Sequence, residues 1–129
     1  MVYQSIELLI RSAGSGYVEG EPVAVLRAYI QDSYHSAHSG SELRPAVIVC
    51  PGSGYKALCA REAEPVVMRF LASGMQAFLL SYSVAPCKYP CAILELARAV
   101  SLVREHAEEW RIDPHRVFVC GFSAGGHVC

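Results

Sequence analysis

Short apolar runs alternate with polar segments along the chain, and their spacing predicts the strands and helices of one domain. The first two runs, residues 2–10 and 23–30, are separated by glycines and a proline, which is typical of two strands joined by a turn-rich connection. We expect these two strands to be antiparallel. Three later runs have the continuous apolar character of strands buried on both faces. They are residues 46–50, 75–82 and 116–120.

Two helices are predicted between the buried strands. The first spans residues 62–72, and the second follows Pro90 with apolar residues at three- and four-residue spacing as far as Trp110, before Asp113 and Pro114 stop it. Strands that alternate with helices imply parallel pairing through right-handed crossovers, with helices on both faces. The predicted fold class is therefore α/β, with about five strands in a mostly parallel sheet. The alternation alone fits a nucleotide-binding or flavodoxin-like sheet equally well.

The charge and hydropathy of the chain argue against nucleic acid and membranes as binding partners. The formal net charge is -1 and no two Lys or Arg residues are adjacent, so we expect no binding to nucleic acid or to an anionic membrane. The N-terminus lacks the basic start of a signal peptide, and no apolar run reaches the roughly 18 residues of a membrane-spanning helix. These features predict a soluble, cytoplasmic protein without a membrane partner.

Cysteine and histidine are the candidate metal ligands. The chain has six cysteines. Cys50 and Cys120 end apolar runs, where a free thiol packs as a small hydrophobe, and the spacing of the others is not that of a zinc site. His35 and His38 lie in a polar loop over residues 31–44, where solvation is the more common role. We therefore expect reduced thiols, no metal and no cofactor.

Residues 121–125, with the sequence Gly-Phe-Ser-Ala-Gly, match the Gly-x-Ser-x-Gly nucleophile elbow. They stand at the end of a predicted strand, where the elbow requires a tight turn into a helix. Gly121 and Gly125 supply the small residues on either side, and Ser123 is the candidate nucleophile. The alternatives are a glycine-rich turn that packs a helix onto a strand and one that holds a phosphate; a dinucleotide-binding fingerprint has a different spacing.

A second small-residue segment, Pro-Gly-Ser-Gly-Tyr at residues 51–55, directly follows the strand that ends at Cys50. An acyl-transfer site stabilises a developing oxyanion with backbone N–H groups, and a loop of small residues supplies them. One strand separates this loop from the elbow. Taken with the elbow, Gly52 and its neighbours favour an oxyanion loop over an ordinary glycine turn.

The two segments, together with Tyr-Ser-Val-Ala-Pro at 82–86, Tyr-Pro at 89–90, Asp-Pro-His-Arg at 113–116 and Gly-Gly-His at 125–127, resemble the esterase branch of the α/β-hydrolases. That branch includes acetyl-xylan-esterase-like and hormone-sensitive-lipase-like enzymes. The resemblance covers residues 44–129 and implies a serine esterase for short acyl groups, often acetyl groups of carbohydrates. It implies Ser123 as nucleophile and the backbone N–H groups of Ser53 or Gly54 and of Ala124 as oxyanion donors. Two residues depart from the pattern: Ser53 replaces a glycine, and Ser83 replaces an arginine.

The acid and the histidine of the triad follow the nucleophile in this family. Only six residues follow Ser123, and His127 lies along the same helix, so we interpret it as a packing residue. We therefore predict a single partial domain over residues 1–129, the N-terminal half of the fold, which is inactive alone. Its expected partners are a small-molecule ester and either a second copy or a complementing C-terminal half. The alternatives are a peptidase of the same fold and a non-catalytic fragment that dimerises through the strand at 117–120.

Overall fold

The computed structural model describes residues 1–10, 23–32 and 42–129. Within these ranges five strands and three α-helices follow one another, and a short 3-10 turn at Ala60–Glu62 precedes the first helix. The elements are β1 (Val2–Leu8), β2 (Ala24–Ile30), β3 (Arg44–Cys50), α1 (Glu64–Ala72), β4 (Gln76–Ser81), α2 (Cys91–Glu105), β5 (Ile112–Gly121) and α3 (Ala124–Val128).

The five strands form one sheet in the order β1-β2-β4-β3-β5. The pairs β1 with β2 and β2 with β4 are antiparallel, and β3 pairs in parallel with both β4 and β5. The α/β class and the antiparallel start are confirmed. The expectation of a mostly parallel sheet is corrected to a mixed sheet, because β2 lies between β1 and β4 and runs antiparallel to both.

Helices cover both faces of the sheet, as predicted. Alternate residues of β3 point to opposite sides: Ala46 and Ile48 join the apolar cluster beneath α2, whereas Val47 and Val49 join the cluster beneath α1. This alternation with apolar residues at every position is what a strand buried on both faces requires. The arrangement places the carboxyl ends of β3 and β5 side by side, with Cys50 paired to Gly121.

The last strand differs most from its prediction. It begins at Ile112 rather than near 116 and contains the Asp-Pro pair expected to end the preceding helix, which itself ends at Glu105. A buried strand was expected, but of its residues only Ile112 is buried, and Phe118 and Val119 are 52% and 40% exposed. The reason is its place in the order: β5 is an edge strand, so it has a neighbour on one side only.

Two expectations lie outside the described residues. The turn-rich connection between β1 and β2 and the loop histidines His35 and His38 both fall in the gaps at 11–22 and 33–41. Over the described ranges, none of the helices combines the length and the apolar character needed to traverse a bilayer.

Candidate active site

Ser123 occupies a sharp turn between β5 and α3. Its backbone angles are φ 51° and ψ -117°, a conformation that residues with a side chain seldom adopt. The turn is held by two backbone hydrogen bonds: Phe122 N–H donates to the Cys50 carbonyl at 3.2 Å, and Gly125 N–H donates to the Phe122 carbonyl at 2.8 Å. The Ser123 side chain is exposed and makes no capping hydrogen bond to its own helix. Its hydroxyl is therefore presented to solvent above the sheet edge.

The glycines around Ser123 stand where no side chain fits. A Cβ atom placed on Gly125 would lie 2.0 Å from the Cys50 carbonyl oxygen, and one on Gly121 would lie 2.3 Å from the Gly125 carbonyl oxygen. One on Gly52 would lie 2.2 Å from the Phe122 carbonyl oxygen and 3.0 Å from the Ser123 Cβ. All three distances to oxygen are far shorter than a carbon–oxygen contact allows. These glycines therefore let the 51–55 loop pack directly against the serine turn.

The loop after β3 has most of its backbone groups already paired. Gly52 N–H donates to Glu62 Oε2 at 2.8 Å, and the Gly52 carbonyl accepts from Cys59 N–H at 2.8 Å. The Ser53 carbonyl accepts from Lys56 N–H at 3.2 Å. The Pro51 carbonyl accepts from the Tyr82 hydroxyl, which is buried. The loop is thus fixed by contacts to residues well outside it.

The three N–H groups predicted as oxyanion donors have no hydrogen-bond partner within the described residues. They belong to Ser53 and Gly54 in the loop and to Ala124 at the start of α3. Gly52, by contrast, has its N–H engaged by Glu62. The structure brings the loop and the turn together, because the Gly52 backbone packs directly against Phe122 and Ser123. The family resemblance implies the same donors, and their role in binding the oxyanion stays a prediction.

Ser53 departs from the glycine-rich pattern, and its backbone conformation makes that departure energetically costly. Its φ is 146°, in the region that favours glycine, and the following Gly54 and Tyr55 also have positive φ, at 64° and 58°. A non-glycine residue held in such a conformation costs about 1–3 kcal/mol. Ser53 therefore stores local strain beside the candidate nucleophile.

Replacing Ser53 with glycine is expected to stabilise the protein by about 1 kcal/mol, because relief of the strain exceeds the roughly 0.5–1 kcal/mol entropic cost of a glycine. Ser53→Ala is the matched control: it removes the same hydroxyl but keeps the Cβ atom, so no gain is expected. Thermal unfolding of both variants beside the unchanged protein measures the difference. An equal gain from alanine would show that φ is not the cause.

Ser83, the other departure, is paired with a buried carboxylate. Glu95 of α2 is fully buried and accepts hydrogen bonds from the Ser83 N–H, at 2.7 Å, and from the Ser83 hydroxyl. Burial raises the pKa of the Glu95 carboxyl above its ordinary value, and the two hydrogen bonds from Ser83 oppose that shift. The pair anchors the segment that follows β4.

His127 contacts the loop rather than the nucleophile. Its Nδ1 lies 2.7 Å from the Tyr55 hydroxyl, and the two rings meet edge to face at 5.8 Å. Its side chain is exposed, and its interpretation as a packing residue stays a prediction. His106 stacks on Trp110, and His115 lies on β5, distant from the turn. None of these three histidines makes a hydrogen bond to Ser123 within the described residues.

A cavity of about 340 Å³ opens beside this contact. It lies between the start of α2 and α3, and its lining is mostly aromatic and aliphatic, with Tyr55, Tyr89, Ile93 and His127 among its residues. His127 follows Ser123 by one helical turn. The cavity is thus close to the serine along the chain and is of a size that holds a small organic group.

Three contributors to the site escaped sequence reasoning. Glu62 was assigned only to a helix, and Tyr55 and Tyr82 were noted only as parts of family motifs. Each acts through a contact between residues far apart in sequence, which no local pattern reveals. In the described residues, no cluster of three or more His, Cys, Asp or Glu side chains is arranged to hold a metal ion.

Known proteins similar in sequence to this chain include a xylanase and an esterase. Endo-1,4-beta-xylanase B of Butyrivibrio fibrisolvens is 36% identical over 107 residues, which are 78% of this chain and 16% of that protein. Esterase LipQ of Mycobacterium tuberculosis is 31% identical over 86 residues, 65% of this chain and 20% of that protein. The chain therefore spans a fifth or less of these curated relatives.

Solved structures match nearly the whole chain. An acetyl ester-xyloside bifunctional hydrolase from Caldicellulosiruptor lactoaceticus superposes with a TM-score of 0.81 at 37% identity, over 97% of this chain and 44% of that one. An α/β-hydrolase from a Medee basin deep-sea metagenome library gives a TM-score of 0.79 at 32% identity, over 98% of this chain and 49% of that one. The chain thus spans just under half of these structures. The BD-FAE family model matches residues 31–129, well over half of the sequence, so this chain belongs to the BD-FAE family of α/β-hydrolases.

Proposed function

We propose that this chain is the nucleophile-bearing half of a serine carboxylic-ester hydrolase that acts on short acyl esters. The observation that carries the proposal is the exposed Ser123 hydroxyl at a strained turn, packed against a loop whose Ser53 and Gly54 N–H groups have no partner. An unpaired donor pair beside a serine is the arrangement that acyl transfer needs, because negative charge develops on the substrate oxygen.

In the proposed reaction the Ser123 oxygen attacks the ester carbonyl carbon while a histidine base removes the hydroxyl proton. The tetrahedral oxyanion receives hydrogen bonds from Ala124 N–H and from the loop donors. Collapse expels the alcohol, which takes the proton from the histidine, and leaves an acyl group on Ser123. Water, activated by the same histidine, then releases the acid. The base and its carboxylate partner come from residues outside 1–129.

The proposed substrate class rests mainly on the relatives. The cavity of about 340 Å³ beside His127, with its mostly aromatic and aliphatic lining, offers space for a small organic group. Acetylxylan esterase of Xylanibacter ruminicola is 29% identical over 84 residues, and the bifunctional hydrolase described above acts on acetyl esters and xylosides by its name. We therefore propose acetyl esters of carbohydrates as the substrate class.

A matched ester and amide pair tests the reaction class against a peptidase of the same fold. The protein for this assay is the complete hydrolase, meaning these residues joined to a C-terminal half that carries an acid and a histidine. We expect hydrolysis of p-nitrophenyl acetate, release of acetate from acetylated xylan, and at least about 10³-fold lower kcat/KM on p-nitroacetanilide, the amide with the same acyl group, a barrier difference of roughly 4 kcal/mol. Comparable rates on the anilide would make the protein a peptidase.

The edge of β5 supports a proposal about partners. Phe118 and Val119 are exposed on a strand that pairs with β3 on one side only. Such an edge is a template for another strand. We propose that it is covered by a complementing C-terminal half or, in the isolated chain, by a second copy.

A further inference from the structure

The peptide unit between Pro51 and Gly52 is held at both ends by side chains that the proposed reaction does not use. Its carbonyl accepts from the hydroxyl of Tyr82, and its N–H donates to Glu62 Oε2 at 2.8 Å. Tyr82 is 2% exposed and lies just beyond β4, while Glu62 ends the 3-10 turn before α1. The two side chains thus reach the same peptide plane from different elements.

A trans peptide plane is rigid, so fixing both of its polar groups fixes its orientation. The next peptide, between Gly52 and Ser53, is oriented in the same way, because its carbonyl accepts from Cys59 N–H at 2.8 Å. In a trans peptide the N–H points opposite to the carbonyl. The Ser53 N–H is therefore aimed away from Cys59 as a consequence of contacts that begin at Glu62 and Tyr82.

We infer that Glu62 and Tyr82 are positioning residues that orient the Ser53 and Gly54 N–H groups toward the substrate oxyanion. This inference rests on the proposed esterase function. Neither side chain touches the reacting atoms; both act through the backbone of the loop. Burial raises the pKa of Tyr82 to about 12, which keeps its hydroxyl protonated and able to donate at neutral pH.

The arrangement also explains why a carboxylate stands so near a site of developing negative charge. One oxygen of Glu62 accepts from Gly52 N–H, a loop donor that would otherwise be free to compete with Ser53 and Gly54 for the substrate oxygen. The geometry requires a hydrogen-bond acceptor at this position and does not require a negative charge. A glutamine, whose amide oxygen accepts in the same way, therefore satisfies the same role.

The test compares Glu62→Gln, Glu62→Leu and Tyr82→Phe in the complete hydrolase, with p-nitrophenyl acetate as substrate. We expect Glu62→Leu to lower kcat by about 10–100-fold with little change in KM, since a displacement of about 1 Å in a catalytic donor has effects of that size. Glu62→Gln is expected to retain kcat within about threefold, because the acceptor remains. Tyr82→Phe removes only the hydroxyl and should lower kcat about 10-fold.

The double variant Glu62→Leu with Tyr82→Phe separates positioning from general loss of stability. Because both side chains hold one peptide plane, their effects on kcat should be less than multiplicative. Glu64→Leu is the matched control: Glu64 is only two residues from Glu62 but accepts from the Tyr29 hydroxyl at 2.6 Å instead of from the loop, so kcat should not change.

Each outcome decides the inference. Wild-type kcat in Glu62→Leu, an equal loss in Glu62→Gln, or fully multiplicative effects in the double variant would overturn the positioning role while leaving Ser123-dependent turnover intact. Absence of any Ser123-dependent turnover in the unchanged complete hydrolase would instead overturn the proposed function, and this inference with it.

Discussion

Ser123→Ala in the complete hydrolase is expected to lower kcat on p-nitrophenyl acetate by about 10⁴-fold or more, as loss of the nucleophile does in other serine hydrolases. The variant loses the only atom that can form the acyl-enzyme, while the loop donors and the cavity remain. KM is therefore expected to change little. Steady-state kinetics of the purified variant, together with the burst of p-nitrophenol in the unchanged enzyme, measure both quantities.

Ser101→Ala is the matched control for that experiment. Ser101 is an exposed serine on α2, outside the cavity and the serine turn, so its loss should leave kcat and KM unchanged. Most activity surviving in Ser123→Ala would remove this residue from the mechanism and with it the proposed role of the turn. A loss in both variants would indicate damage to the fold rather than to the chemistry.

Local sequence patterns were sufficient to predict the serine turn, because its requirements are local. A strand that ends in Gly-x-Ser-x-Gly is compatible with few structures other than this turn. The structure shows the reason, because Cβ atoms on Gly121 and Gly125 would overlap backbone carbonyl groups. The strain at Ser53 was also foreseeable from sequence, since a serine stands where the related loops carry glycine. Its φ of 146° gives that departure a physical cost.

Other features depend on contacts that no local pattern contains. The pairing of Tyr82 with the Pro51 carbonyl spans 31 residues, and that of Tyr55 with His127 spans 72. The exposure of β5 depends on its place at the sheet edge, whereas the run of apolar residues at 117–120 is equally typical of a central strand. Helix α2 was predicted too long because the apolar stripe continues to Trp110, which packs on Phe78 from a turn beyond the helix.

None of the histidines in the described residues is placed to act as a general base for Ser123. The Nδ1 of His127 is engaged with Tyr55, and the Ser123 side chain makes no hydrogen bond to the helix that carries His127. His106 bonds through Nδ1 to the Leu102 carbonyl at 3.0 Å. His115 lies six residues before Gly121, where β5 ends, and so about 20 Å from the serine turn at 3.3 Å per residue. A serine hydroxyl without a base in hydrogen-bond reach is a weak nucleophile near neutral pH.

Residues 1–129 by themselves are therefore expected to hydrolyse p-nitrophenyl acetate no faster than their own Ser123→Ala variant. In related sites that have lost a triad residue, the oxyanion donors still give a rate about 10³-fold above that in water, but only where these donors keep their geometry. Here that geometry depends on β5, whose far edge is uncovered and apolar, so we also expect the isolated chain to dimerise, aggregate or pack loosely. Parallel assays of the two purified chains, with light scattering to give their mass, check both expectations. Clear Ser123-dependent turnover would require a base within the chain, and alanine substitutions at His127, His35 and His38 would then show which histidine supplies it.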